Sequence, residues 1–259
     1  MNVRLVLAPN PSLMTGPGTN TWVVSSEREA LVVDPGPEIA EHIEAIRKAL
    51  EGLTPRAVLV THTHPDHAPA ANGLASALGV RAIGRAPGPH FRPDHVMADG
   101  DRVEFGDSAA MAIATPGHTP DSTCYRVGDA LFTGDHIMGG STVIVEDMAD
   151  YMSSLRALQG IGISRIYPGH GPVVEDPEAL IAEYITHRED RERQVRQAVA
   201  NGAATVGEVV AAVYQDVDPA LHPAAALSVN AHLRKLAAEG SVRFPSPELG
   251  WHAPVEATP

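Results

Sequence analysis

Five apolar runs of this chain stop in the same way. LVVDPG ends in Asp34, AVLVTHTHPDH in His62, His64, Asp66 and His67, AIATPGHT in His118, ALFTGDH in Asp135 and His136, and RIYPGHGP in His170. Short apolar runs closed by Gly, Pro and polar residues read as buried strands. Strands of one sheet that all end this way place their terminal side chains along a single rim, where pockets commonly form. The pattern predicts an α/β domain whose site is assembled from distant parts of the sequence.

Amphipathic stretches lie between the runs. EIAEHIEAIRKALEG sets Ile39, Ile43, Ile46 and Leu50 on one stripe with Gly52 beyond it, and AANGLASALG and DYMSSLRALQG read similarly, so three helices should cover sheet faces. MTGPGTNT, residues 14–21, is a loop without the GK[ST] of a phosphate-binding P-loop. From Pro177 the texture changes to a long charged helix, PEALIAEYITHREDRERQVRQAVA, followed by ATVGEVVAAVY, AAALSVNAHLRKLAAEG and the strand-like SVRF. Helix, helix, strand is a winged-helix-like order. We expect a catalytic domain over 1–176, a connecting helix over 177–200, and over 201–259 a small, mostly helical winged-helix-like domain with a loosely held Pro- and Glu-rich tail.

The chain has one cysteine, Cys124, which excludes an intramolecular disulfide and any multi-thiolate metal site. Metal binding must then use imidazole and carboxylate. His62 and His64 alternate on extended chain and project from the same side, so they can share one ion, while Asp66 and His67 follow the turn at Pro65 and can point at a second position. These ligand types suit zinc, and iron and manganese accept them too. Two cations sharing a water lower its pKa to about 7 or below, which supplies hydroxide without a serine or cysteine nucleophile. Asp66, facing that nucleophile, is the candidate to handle its proton.

H-x-H-x-D-H after an apolar strand, with VVDPG, PGHT, TGD and YPGHGP following in order and spacing, resembles the metallo-β-lactamase superfamily over about residues 3–174. The resemblance implies a four-layer αββα sandwich with a dinuclear site at one edge. Carried over by residue, it implies that His62, His64 and His118 hold one metal and Asp66, His67 and His170 the other, with Asp135 bridging and Asp34 orienting the ligand loop. GPGTNTWVV, YPGHGP, the ITHR helix and HLRKLAAEG are similar to the beta-lactamase-like protein 2 family, which includes an endoribonuclease acting on single-stranded RNA. The implied activity is hydrolysis of an ester, thioester, lactone, lactam or phosphodiester bond. Single-stranded RNA cleavage and glyoxalase II-like thioester cleavage are its narrower forms, and a mononuclear iron persulfide dioxygenase is the alternative of another class.

A net charge of −13 opposes nucleic-acid binding, which rests on neutralising phosphates with Lys and Arg. Residues 175–259 hold 13 acidic and 7 basic residues, so the winged-helix-like part is expected to pack rather than to read DNA, and a small-molecule substrate is preferred over RNA. No run is long and apolar enough to span a membrane, and the segment ending at Pro9 is too short for a signal-peptide core, which predicts a cytoplasmic protein. His136 and Tyr151 are candidate pocket residues, with Ser141 and Thr142 on the same loop region. Cys124 reads as a buried strand residue and His187 as part of a solvated helix face. His42, His90, His95, His222, His232 and His252 lack ligand spacing and receive no role.

Overall fold

The computed structural model describes residues 1–140, 142–245 and 250–258; Ser141 lies outside them. Contacts divide the chain into two compact units, one of residues 1–115, 121–143 and 160–177, the other of residues 116–120, 144–159 and 178–259.

The first unit holds two sheets. Strands β1 (Asn2–Leu7), β2 (Asn20–Ser26), β3 (Glu29–Val33), β4 (Thr54–Leu59), β5 (Arg81–Gly84) and β6 (His95–Val96) lie side by side in chain order. Pairing is antiparallel through β3 and parallel from β3 to β6. Helices α1 (Ala40–Ala49) and α2 (Ala70–Leu78) supply the crossovers that the β3–β4 and β4–β5 parallel pairs require. The second sheet contains β7 (Arg102–Phe105), β8 (Ser108–Ala114), β9 (Thr123–Val127), β10 (Ala130–Gly134) and β11 (Arg165–Pro168) in the order β11-β10-β9-β8-β7. The five polar-ended strands are divided between the two sheets: β3 and β4 belong to the first, and β8, β10 and β11 to the second. A local pattern marks a strand's end but carries no information about its partner.

Alternation explains how the sheets are covered. Trp22, Leu31, Leu59 and Ile83 point from the first sheet into a cluster with Phe105, Ala112, Tyr125 and Phe132 of the second. Their neighbours Val23, Val32 and Val58 face the other way, against Ile46 and Leu50 at the α1 end and Leu74 of α2. At the site end the sheets are tied by Trp22, whose indole N–H donates to Pro168 O at 3.0 Å, and by Asn20, whose side-chain amide donates to Pro168 O and Gly171 O.

The second unit holds α3 (Met148–Ala157), α5 (Val206–Val213), α6 (His222–Ala238), all of α4 (Pro177–Ala200) after its first residue, and the ribbon of β12 (Val242–Arg243) with β13 (Glu256–Ala257). Asp147 caps α3 by accepting from Asp150 N, and Thr205 caps α5 by accepting from Glu208 N. Val195, Val206, Val210, Val229, Leu233 and Leu236 form its aliphatic core. Among its described residues the tail is tied down at 251–255. Ala253 and Val255 join that core, Val206 N donates to Ala253 O, and Gly207 N donates to Trp251 O. Its Pro and Glu content hides an inward alternation of two small apolar residues. Among the described residues no helix is long and apolar enough to cross a membrane.

Candidate metal centre

The ligand-type residues arrive on turns just beyond strand ends. Val33 ends β3 and Asp34 follows at φ +50°, a left-handed conformation that Asp tolerates better than most residues. From there its carboxylate reaches across to the chain leaving β4: Oδ1 accepts from Thr61 N at 2.7 Å, and Oδ2 accepts from Thr61 Oγ1 at 2.7 Å and from His67 Nδ1 at 2.9 Å. The segment 61–67 is thus pinned at both ends by one buried carboxylate. Behind it, the Thr21 hydroxyl donates to Asp34 O at 2.6 Å, and buried His42 places Nε2 2.9 Å from that hydroxyl. His42, given no role by spacing, is a strut beneath Asp34.

Four atoms converge beside this segment. His67 Nε2 and His170 Nε2 stand 3.3 Å apart, and His67 Nε2 is 3.5 Å from Asp66 Oδ2 and 3.3 Å from Asp135 Oδ1. His170 Nε2 is 3.1 Å from Asp66 Oδ2 and 3.5 Å from Asp135 Oδ1. Donors about 2.1 Å from a tetrahedral ion lie roughly 3.4 Å from one another, so these separations fit the edges of one coordination shell. Also in the first unit, His62, His64 and Asp135 each offer one donor atom within 4.8 Å of the others, while His118, the remaining expected ligand, belongs to the second unit. His62 Nε2 faces His64 Nδ1 at 3.0 Å.

Four of these histidines have their other ring nitrogen occupied. Besides His67 on Asp34, His118 Nδ1 donates to Ile144 O at 2.6 Å, His170 Nδ1 lies 3.2 Å from Gly18 O, and His62 Nδ1 lies 3.0 Å from Thr61 Oγ1. Such outer partners fix the tautomer and orientation that a metal-ligating imidazole needs. Burial opposes charge throughout the cluster. Even so, the Asp135 and Asp34 carboxylates raise His67 well above the ordinary imidazole range, and Asp135 with Asp66 raises His170 to about 9. In return His67 and His170 keep Asp135 well below the ordinary carboxylate range, and His170 and His67 hold Asp66 at about 2. The cluster is a buried set of carboxylates whose charge protons partly satisfy, the arrangement a divalent cation can take over.

The floor of the site is backbone. A Cβ at Gly169 would fall 2.6 Å from both Asp135 Oδ1 and His67 Cε1, and one at Gly134 would fall 2.2 Å from Thr61 Oγ1. This is why the strand-end motifs TGD and PGH carry glycine immediately before the ligand-type residue. Sequence reasoning missed Thr61, Gly18 O and Ile144 O, since a hydroxyl or carbonyl that orients a ring has no spacing signature. His136 and Tyr151, the two pocket candidates, are 1% and 0% exposed. The Tyr151 ring lies under the Arg188 guanidinium, 5.4 Å from ring centre to Cζ. Cys124 is buried as expected, and burial pushes its thiol up to about 12.

A family model described as the metallo-beta-lactamase superfamily matches residues 14–170, and one described as the beta-lactamase associated winged helix domain matches residues 205–250. The chain is 34% identical to the Beta-lactamase-like protein 2 homolog of Drosophila melanogaster over 93% of this chain and 90% of the relative. It is 34% identical to an atrochrysone carboxyl ACP thioesterase of Aspergillus fumigatus over 81% of this chain and 72% of that protein. A solved metallo-beta-lactamase family protein from Thermus thermophilus superposes with a TM-score of 0.80 over 98% of both chains at 20% identity, a likeness of fold.

Proposed function

The chain belongs to the metallo-beta-lactamase superfamily, a four-layer αββα hydrolase fold followed here by a winged helix domain, and from that membership we propose a hydrolase that works with two divalent metal ions. In this reading His62, His64 and His118 hold one ion, Asp66, His67 and His170 hold the other, and Asp135 serves both. Zinc is the first candidate, and the same imidazole and carboxylate donors accept iron or manganese. The observation that carries the proposal is the convergence of His67 Nε2, His170 Nε2, Asp66 Oδ2 and Asp135 Oδ1 at ligand-to-ligand spacing.

When bound, the ions would lower the pKa of a water to about 7 and polarise the oxygen of the scissile bond. The chain's own residues supply the rest. Asp34 and Thr61 hold the 61–67 segment in register with His170, so the donors are set before substrate arrives. Asp66 is the proposed catalytic carboxylate: its side chain is 24% exposed, and it accepts from Thr19 Oγ1 at 3.4 Å and pairs with His170. A carboxylate held near pKa 2 stays ionised at neutral pH, so Asp66 orients the attacking water and accepts a proton only transiently.

Among the bonds this chemistry reaches, a thioester is favoured by the thioesterase relative, and single-stranded RNA is disfavoured by the net charge of −13. We place the catalytic machinery in residues 1–176, with 177–200 as connector and 201–259 as the winged helix part, acting on a small molecule in the cytoplasm. The test is metal analysis of protein purified without added metal, with parallel assays on thioester, lactone, β-lactam and phosphodiester substrates. Two ions per chain, and thioester hydrolysis lost by at least about 100-fold in Asp135→Ala, more than an outer partner's removal costs, are expected. Unchanged metal content and turnover in His64→Ala and Asp135→Ala would sink the assignment. One iron per chain with oxygen consumed on persulfide would replace it with the dioxygenase.

A further inference from the structure

We propose that Arg234 of α6 is a positioning residue for His118, acting through the turn at residues 144–147; this rests on the reading of His118 as a metal ligand. His118 Nδ1 faces Ile144 O at 2.6 Å, and because a carbonyl can only accept, the ring proton sits on Nδ1 and Nε2 keeps the lone pair a metal requires. The direction of that lone pair therefore depends on where Ile144 O is held.

The turn and the His118 segment clasp each other. Glu146 N and Asp147 N both donate to Gly117 O, at 2.8 and 3.0 Å, and Ser154 Oγ of α3 donates to Pro116 O at 2.8 Å. Gly117 lies at φ +133°, and a Cβ there would fall 2.4 Å from Tyr151 Cα, so α3 presses directly on the residue before the ligand. Glu146 O is turned to α6 and accepts from Arg234 Nη2 at 2.5 Å, a charge-assisted hydrogen bond. Leu233 and Leu236, on either side of Arg234 in sequence, are fixed in the aliphatic core, so the guanidinium is presented from a rigid helix. The contacts explain why residues 116–120 cluster with the helices rather than with the strands that flank them in sequence. In that reading the proposed ligand His118 is oriented within the second unit, by a chain of contacts that ends on Arg234.

The experiment titrates metal-free full-length protein with Zn²⁺ against a chelator, and records the visible spectrum of the Co²⁺ form. Arg234→Ala should weaken one of the two binding steps by about tenfold, the lower end for loss of an outer partner, leave the other unchanged, and alter the Co²⁺ bands. Arg234→Lys, which can still donate to Glu146 O, should recover most of the loss. In a His118→Ala background Arg234→Ala should add nothing further, because both act on one ligand. Wild-type binding of both ions by Arg234→Ala overturns the proposal, as does an equal additional loss in the His118→Ala background. If Arg234→Ala fails to fold, Arg234→Gln takes its place with the same two outcomes. Loss of one ion in His118→Ala with none in Arg234→Ala sinks this inference alone, whereas two ions retained in His118→Ala sinks the ligand assignment itself.

Discussion

Around Val206, Val229 and Leu236 the helical unit packs an aliphatic cluster, whereas the strand-end rim of the sheet unit buries Asp34, Asp135 and His170 each within 3.5 Å of the His67 ring nitrogens. The first kind of burial stabilises in proportion to the apolar area removed from water. The second costs desolvation for each charged group and is held by pairing, so it contributes little to net stability and much to geometry. Residues of equal burial in the two regions should therefore fail differently when changed: one set by unfolding, the other by losing a cation while the chain stays folded.

Leu236→Ala should show the largest effect. Leu236 is 1% exposed, and truncation of a buried leucine costs about 2–5 kcal/mol. Urea unfolding should report that loss while zinc per folded chain stays at the wild-type value; a fall in metal content of the folded fraction would erase the contrast. Asp34→Asn reverses the pattern. Asn also tolerates the left-handed backbone and can still accept from Thr61, but it cannot pair with the His67 ring as a carboxylate does. Metal affinity should fall about 10- to 100-fold with the urea midpoint little changed. A large midpoint shift would mean that Asp34 serves the fold.

The smallest effect is the pH dependence of the metal-free protein. Asp66 is depressed to about 2 in the folded chain, so its contribution is present above the ordinary carboxylate value near 4 and is lost as pH falls from there toward 2. His170 is raised to about 9, so its contribution is complete below about 6.5 and is lost as pH rises through 9. Stability of the metal-free chain should therefore decline at both ends of that range, and saturating zinc should flatten the alkaline arm. Identical alkaline arms with and without zinc would show that the ion does not replace the imidazole protons.

Much of the centre was legible because its chemistry is local. THTHPDH, TGD and PGH each put a proposed ligand one or two residues past an apolar run, and a strand end is a short-range event. Helices α1, α2 and α3 were legible for the same reason, since stripe and terminal glycine lie within a dozen residues. What stayed hidden depends on contacts between distant segments. The division of five similar strand ends between two sheets, the pairing of β12 with β13, and the bond from Arg234 to Glu146 O, 88 positions away, leave no period in the sequence. His42 was passed over because a histidine that braces a threonine looks, in sequence, like any other on a helix.

Gly134 and Gly169 lie so close under Thr61, His67 and Asp135 that no side chain can be inserted there. Selection consequently has nothing to vary beneath the ligands. Of the proposed ligands, His64 and Asp66 keep the most contact with solvent, and we expect mutations that redirect the enzyme to a new substrate to fall on their side. A centre built on a backbone floor is inherited whole, while the choice of what it cleaves is free to drift in the loops that surround it.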